Sequence, residues 1–368
     1  MKSYITAGQL IFVVVVLCAH TAARGVQSSY NVIDLALPGG TLSQGFGINN
    51  AGQVTGASST TGTSFYHAFL YDGTTHDLGT LGGTVSQGFS INASGHVTGE
   101  ADITGNHGFH AFLYDGTMHD LGTLGSNTSI AYGINANDHV TGYSSSSSVF
   151  FSPEHAFLYD GVIHDIGTLP SGSSSDAYDI NDNGHVVGVS SLGNGDHAFL
   201  YDGTMHDLGT LGGENSYARA INGNDLVTGE SKPTLGGPYH AFLYDGSMHD
   251  LGTLGGSESY GKDINSNGQV VGYSYPAGNA TYHAFVYSNV SGMIDLNSLI
   301  DPASGWLLTE ANAINDNGQI AGTGQFNGQR QAFLLTPVPE PSTFALAALG
   351  AVALLAVRRR FNRKQIHG

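Results

Sequence analysis

His240-Ala241-Phe242-Leu243-Tyr244-Asp245-Gly246 is one of seven near-copies of a short phrase that organise almost the whole chain. The others begin at His67, His110, His155, His197 and His283, with a worn copy at Gln331-Ala332-Phe333. Successive copies lie 43, 45, 42, 43, 43 and 48 residues apart, the period of a four-stranded propeller blade and longer than one coil of most β-helices. Working outward from His240, the unit begins with Ser216 to Asn222, turns at Gly223-Asn224-Asp225, and continues through Leu226 to Glu230 into a variable loop. After the His-Ala-Phe run comes a turn at Asp245-Gly246 and a last short run, Ser247 to Leu251. Asp-Gly between two β-prone runs signals a hairpin, because both central residues of a type I′ turn need positive φ. The pair recurs at Asp72-Gly73, Asp115-Gly116, Asp160-Gly161 and Asp202-Gly203, and the earlier hairpin uses Asn-Gly turns such as Asn183-Gly184, Asn267-Gly268 and Asn317-Gly318. Each unit is therefore two hairpins in series, with no helical periodicity.

The two ends of the array are out of phase in a telling way. The seventh unit has its Ile314-Asn315, Gln319 to Gly322 and Ala332 to Leu335 runs, then stops before any His-Asp-Leu strand. The missing piece stands at the other end: Tyr30 to Leu35, followed by Pro38-Gly39-Gly40, matches the Met-His-Asp-Leu-Gly-Thr-Leu-Gly-Gly segment that precedes later Ile-Asn strands. A ring whose last blade is completed by the N-terminal strand explains the offset and protects the sheet edges. The expected fold is an all-β, seven-bladed β-propeller of four-stranded blades over residues 24–337. A linear solenoid would end in atypical capping repeats instead. Ile-Asn strands such as Gly47-Ile48-Asn49 and Gly133-Ile134-Asn135 should be innermost, where small residues before the isoleucine relieve crowding at the axis. Alternation should place Ala241 and Leu243 on one face and His240, Phe242 and Tyr244 on the other.

Two segments flank the array. Residues 1–23 read as a signal peptide, with Lys2, the apolar run Leu10 to Cys18, and small residues at Thr21, Ala22 and Ala23 suited to signal peptidase. Cys18 is the only cysteine and lies in that run, so the mature chain is expected to lack disulfides and thiolate chemistry. At the far end, 338–368, Val338-Pro339-Glu340-Pro341-Ser342 leads into the apolar run 344–357, which stops at Arg358-Arg359-Arg360. Fourteen apolar residues are short for a span of about 20, yet the basic stop is how a membrane segment keeps its tail in the cytoplasm. A C-terminal transmembrane helix, inserted transiently, is the expectation.

Pro339, Glu340 and Pro341, the apolar segment, and Arg358, Arg359 and Arg360 together resemble the PEP-CTERM sorting signal of Gram-negative bacteria. That resemblance implies an exosortase as processing partner, an inner-membrane precursor, and a producer of exopolysaccharide and biofilm matrix. The repeats resemble the HAF family of extracellular repeats, whose biochemical role is not established.

Charge and pattern exclude several functions. Residues 27–336 hold 28 acidic side chains against four basic ones, Arg219, Lys232, Lys262 and Arg330, a formal −24. Nucleic acid is excluded, because phosphate binding needs a basic face. A sialidase is disfavoured too, since that propeller class uses an arginine triad and only two arginines lie in this stretch. The repeated histidines, His67 through His283 and His76, His119, His164, His206 and His249, recur in successive units. Catalysis and zinc both need convergence at one point, so hydrogen bonding between strands three and four is the expected role. The Asn181-Asp182-Asn183-Gly184 and Asn315-Asp316-Asn317-Gly318 turns carry oxygen ligands, but neither matches a known calcium loop. Turn chemistry accounts for them; a structural calcium stays a lesser alternative, and no cofactor is expected.

The loops between second and third strands vary most, and a binding surface is expected there. Tyr66, Phe150, Phe151, Tyr239, Tyr275 and Tyr282 are the aromatics available to stack on sugars, though an aromatic beside a strand end more often packs an edge. Three functions follow: a non-catalytic surface or matrix protein binding exopolysaccharide or envelope components, a spacer without specific ligand, or a polysaccharide-degrading enzyme. The last requires an asymmetric carboxylate pair, for which Glu100, Glu154, Glu230 and Glu310, the acids outside the repeat, are the candidates. No catalytic residue is assigned.

Overall fold

The computed structural model describes residues 29–338, apart from 38, 61, 63–64, 106–107 and 146–152. The signal peptide, the sorting residues Pro339, Glu340, Pro341, Arg358, Arg359 and Arg360, the 344–357 segment, Phe150 and Phe151 lie outside the described residues. Among the described residues, no helix is long and apolar enough to cross a membrane.

Seven four-stranded antiparallel units follow one another with the predicted phase. In the first blade the inner strand is Ser43–Ile48, followed by Val54–Ser59, Tyr66–Tyr71 and the outer strand Thr75–Asp77. The seventh blade supplies Trp306–Ile314, Ile320–Phe326 and Gln329–Pro337, and its outer strand is the N-terminal Tyr30–Asp34. The closure copies the ordinary joint. Leu35 donates its N–H to Ala332 O at 3.1 Å, just as Leu78, Leu121, Leu208 and Leu251 donate to the alanine of their own third strands.

Both faces of each blade are buried, one against each neighbour in the ring. Phe242 shares an apolar cluster with Val187, Ala198 and Leu208 of the preceding blade, whereas Ala241, Leu243 and Leu251 cluster with Val270 and Phe285 of the next. All seven repeated phenylalanines are fully buried, each contributing roughly 1.5–3 kcal/mol. At the closing joint, Leu35, Leu37, Ala332 and Leu334 pack with Val54 and Phe69 of the first blade.

The inner hairpin is held by the repeated asparagine. Asn135 Oδ1 accepts from the N–H groups of Asn137 and His139, both at 3.0 Å, which closes the turn. Its Nδ2 then donates to Asn181 O of the next blade at 3.1 Å. The same donation runs from Asn49 to Asn92, Asn92 to Asn135, Asn181 to Asn222, Asn222 to Asn265, Asn265 to Asn315 and Asn315 back to Asn49, at 2.9–3.1 Å. A closed circuit of amide hydrogen bonds thus rings the axis.

The third-strand histidines pair across to the outer strand as expected, whereas the outer-strand histidines bond back to the aspartate of their own turn. His240 Nδ1 meets Asp250 at 2.9 Å between third and outer strands, and His67, His110, His155, His197 and His283 have equivalent partners. His249 Nε2 lies 2.9 Å from Asp245, and four further units repeat that contact. Where the seventh unit has Gln331, its amide instead accepts from Ser43 Oγ and donates to Thr41 O.

One expectation needs correction. The Asp-Gly hairpins are not two-residue type I′ turns: Tyr71 pairs with Thr75, leaving three loop residues, and only Gly73 has positive φ. Asp72 keeps negative φ because its carboxylate receives Thr74 N–H and His76 from that position.

Candidate functional site

Every inner strand carries a β-bulge at the same place, three residues before the asparagine. The bulged residues are Phe46, Phe89, Tyr132, Tyr178, Arg219, Lys262 and Asn312. A bulge breaks the ladder and re-aims its side chain. Here the second-strand glycine of each Val-Thr-Gly or equivalent permits it, since a Cβ on Gly142 would collide with Ile130 O. All seven bulged residues are half-buried, while the residues just before them are buried between strands. Successive contacts show that they form a layer around the lumen. Phe46 and Phe89 have centroids 5.4 Å apart, Phe89 and Tyr132 5.2 Å, Tyr132 and Tyr178 5.4 Å, and the Arg219 guanidinium sits 4.5 Å from the Tyr178 centroid. Four blades contribute aromatic rings, two contribute cations and one an amide.

A second layer stands closer to the loops between second and third strands. It pairs Gln87 with Glu100, Ile130 with Tyr143, Tyr217 with Glu230 and Tyr260 with Tyr273 across the first two strands. Three of the loop aromatics named from sequence join it. Tyr275 stacks on Tyr282 at 4.0 Å, Tyr282 lies 4.8 Å from Tyr273, and Tyr273 stacks 4.8 Å from Tyr260. Tyr239 links Tyr260 at 6.0 Å to Tyr217 at 5.9 Å, and the Arg219 guanidinium lies 5.3 Å from the Tyr217 centroid. An aromatic path therefore runs from Tyr275 on the loop face, through Arg219, down to Phe46 in the lumen. Tyr66 is not part of it; it pairs with Ser59 at the start of its own third strand.

The mouth is electrostatically uneven. Glu230 holds Arg219 through Nε at 2.9 Å and through Nη2, Glu310 holds Arg330 at 3.2 Å, and Glu214 holds Lys232. Lys262 has no hydrogen bond or ion pair among the described residues; its ammonium lies 5.7 Å from the Tyr273 centroid. Burial, with Arg219 nearby, lowers its pKa against the pull of Glu230 and Glu310. On the aromatic side, burial and the Glu154 carboxylate push Asp176 up to about 6. Burial also raises Glu100, although Gln87 donates to it at 2.8 Å. The four acids singled out from sequence thus fall into two groups: Glu230 and Glu310 beside Lys262, Glu100 and Glu154 beside Tyr143. Two of the four are tied to arginines, which suits positioning better than proton transfer.

At the opposite end of the lumen a cavity of about 280 Å³ is lined by the repeated isoleucines and asparagines, among them Ile134, Asn135, Ile180 and Asn181. The carboxylates of the candidate calcium turns are used across blades there. Asp182 accepts from Ala136 N–H at 2.8 Å, and Asp316 from Ser266 and Asn50.

The bulge layer was the part missed by the sequence reading. Its signal was present: in Gly-Phe-Gly-Ile-Asn, Ala-Tyr-Asp-Ile-Asn and Gly-Lys-Asp-Ile-Asn, the residue three before the asparagine changes class while small residues and isoleucine around it persist.

Several solved structures resemble the chain at low identity. The β-propeller domain of the Trilobed protease from Pyrococcus furiosus shares 12% identity over 72% of this chain and 83% of its own, with a TM-score of 0.49. Virginiamycin B lyase from Staphylococcus aureus shares 11% identity over 84% of this chain and 100% of its own, TM-score 0.49. The Aleuria aurantia lectin shares 11% over 71% and 96%, TM-score 0.39. No curated protein matches in sequence. Residues 209–337 match a family described as a protein of unknown function, DUF3466. Residues 337–360 match the PEP-CTERM protein-sorting motif, so the chain carries the signal of an exported, surface-associated protein sorted by an exosortase.

Proposed function

We propose that the propeller is a non-catalytic surface or matrix protein that binds exopolysaccharide at its loop face and channel mouth. The observation that carries this reading is the aromatic path from Tyr275 to Phe46, which belongs to some blades and not to others. Aromatic faces suit the apolar faces of sugar rings, and several in series suit a chain better than a single sugar. Tyr239, Tyr275 and Tyr282 belong to the proposed surface; Tyr66 stands outside the aromatic path, and Phe151 lies outside the described residues.

The proposed route begins with signal peptidase removing residues 1–23. The 344–357 segment then holds the precursor in the inner membrane until an exosortase acts near Pro339-Glu340-Pro341. The HAF resemblance fits an extracellular destination. No cofactor, calcium or nucleic acid enters this reading.

Sedimentation of the purified full chain with exopolysaccharide from its own producer tests it, with unrelated glycans and a Tyr239→Ala, Tyr275→Ala, Tyr282→Ala variant as controls. Saturable retention that the triple variant loses is expected, with no shortening of the polymer. A folded protein that retains no glycan would instead identify a spacer. Shortening of the polymer that disappears when Glu100, Glu154, Glu230 and Glu310 are replaced would identify an enzyme.

A further inference from the structure

The domain between residues 27 and 336 has only four basic side chains. Three of them are spent on internal ion pairs: Arg219 on Glu230, Lys232 on Glu214 and Arg330 on Glu310. The fourth, Lys262, is half-buried on the lumen wall and has no ion pair or hydrogen bond among the described residues. Burying an ammonium without a partner is costly, and a methionine would fill the same space at less cost. The bulge aims this side chain into the lumen. In the seven-blade order, the second and third blades, whose Phe89 and Tyr132 rings touch, lie farthest from the sixth, which carries Lys262.

Resting on the polysaccharide reading above, we infer that the channel mouth selects a carboxylate-bearing sugar, with Lys262 as its counter-ion and the Phe46–Tyr178 arc stacking on the sugar ring. The chemistry follows from the surplus. Beside it, Glu230 and Glu310 are already held by Arg219 and Arg330, so Lys262 is the one of the four cations without a carboxylate of its own, which suits a monoanionic carboxylate. A phosphate monoester brings nearly two charges and three strong acceptors, and here it would also face the flanking carboxylates of Glu230 and Glu310. The ring and the carboxyl group of one uronate residue would meet both halves of the bulge layer at once.

The acidic envelope gives the inference an unusual signature. Long-range repulsion between a formal −24 domain and an acidic glycan is screened by salt, while an enclosed ammonium–carboxylate pair is screened much less. Retention should therefore rise severalfold between low salt and about 0.15 M, opposite to a basic-patch binder. It should also weaken on raising pH earlier than an ordinary lysine site. The groups facing the amine are Arg219, Glu230, Glu310 and Tyr273, and the amine itself is the one whose charge burial disfavours.

The test uses the full chain, a uronate oligosaccharide, and the same oligosaccharide with its carboxyl groups reduced to hydroxymethyl groups. The expected result is at least about tenfold tighter retention of the uronate form, a preference that Lys262→Met abolishes in a protein that still melts like the parent. That factor corresponds to about 1.4 kcal/mol. Equal retention of both forms by the unmodified protein would overturn this inference and leave the polysaccharide reading standing. Retention of neither would overturn both. Preference for the uronate form that survives in a folded Lys262→Met protein would also overturn it, since the charge would then be read elsewhere.

Discussion

The asparagine circuit and the bulge layer sit three residues apart on the same seven strands, yet they obey opposite rules. At the asparagine every blade has the same residue, the same two accepted N–H bonds and the same donation to its neighbour. At the bulge every blade has the same backbone distortion but the side chains are phenylalanine, tyrosine, arginine, lysine or asparagine. A position whose side chain closes the ring cannot vary without breaking a bond in its own blade and another next door. A position whose side chain hangs in the lumen is released from that constraint. In this repeat protein, identity between units records how the ring holds, and departure from identity marks where chemistry can be placed.

The comparison can be broken most severely at the closure. Deleting residues 29–37 removes the outer strand of the seventh blade together with Leu35 and Leu37. Loss of about 3–6 kcal/mol from those two leucines alone is expected, with aggregation through the bared edge, seen in denaturant melts and light scattering. A melt unchanged by the deletion would disprove ring closure.

Next come paired substitutions at the two layers. Asn135→Ala leaves two N–H groups of a part-buried turn without their acceptor and removes one link of the circuit, an expected cost of about 1–3 kcal/mol. Lys262→Met should cost less than about 1 kcal/mol or stabilise the fold. Equal costs would erase the distinction drawn here.

Two blades also carry an aspartate between bulge and isoleucine, and these make stability depend on pH. Asp179 accepts from its own Ile180 N–H and from Ile221 of the next blade, and Asp263 does the same with Ile264 and Ile314. Burial pushes Asp179 up to about 7 and Asp263 up to about 6, against their backbone hydrogen bonds. The folded state therefore holds protons that the unfolded chain releases near pH 3.8. Their contribution is fully present below about pH 3.8, falls as pH rises toward about 7, and is flat above. Thermal melts from pH 4 to 8 should show that fall, and Asp179→Asn should reduce its slope whatever its fixed offset. The exposed Asp72, Asp115, Asp160, Asp202 and Asp245 run the other way, lowered mainly by their histidines. Any support they give is present above their unfolded values and lost as pH drops below them.

The smallest effect is expected at the histidines that make the repeat so visible. His240→Gln replaces a surface pair with the residue that the seventh unit already uses, so it should change stability by less than about 1 kcal/mol in a denaturant melt.

Much of the ring was legible because closure leaves a phase error in the repeat: a strand missing after Leu335 and present at Tyr30. Strand order followed from alternation and turn residues, and the cross-strand role of His240 from its recurrence in successive units. The turn type did not, because Asp72 is held by a side-chain bond to His76 that spacing does not reveal. The site was only half legible. Tyr239, Tyr275 and Tyr282 stood out as loop aromatics, but their union with Tyr217, Tyr260 and Tyr273 depends on neighbouring blades. Phe46, Phe89, Tyr132, Tyr178, Arg219 and Lys262 read as ordinary strand residues. Their common direction comes from a bulge, which is a property of two paired strands and not of one.

Polysaccharide retention of a Phe89→Ala, Tyr132→Ala protein, with its melt recorded beside it, separates binding by the bulge layer from support by the asparagine circuit. The account predicts a fold that melts within several degrees of the parent, about 2–4 °C per kcal/mol lost, and retention reduced at least about tenfold, or about 1.4 kcal/mol. Full retention by that folded variant would contradict it.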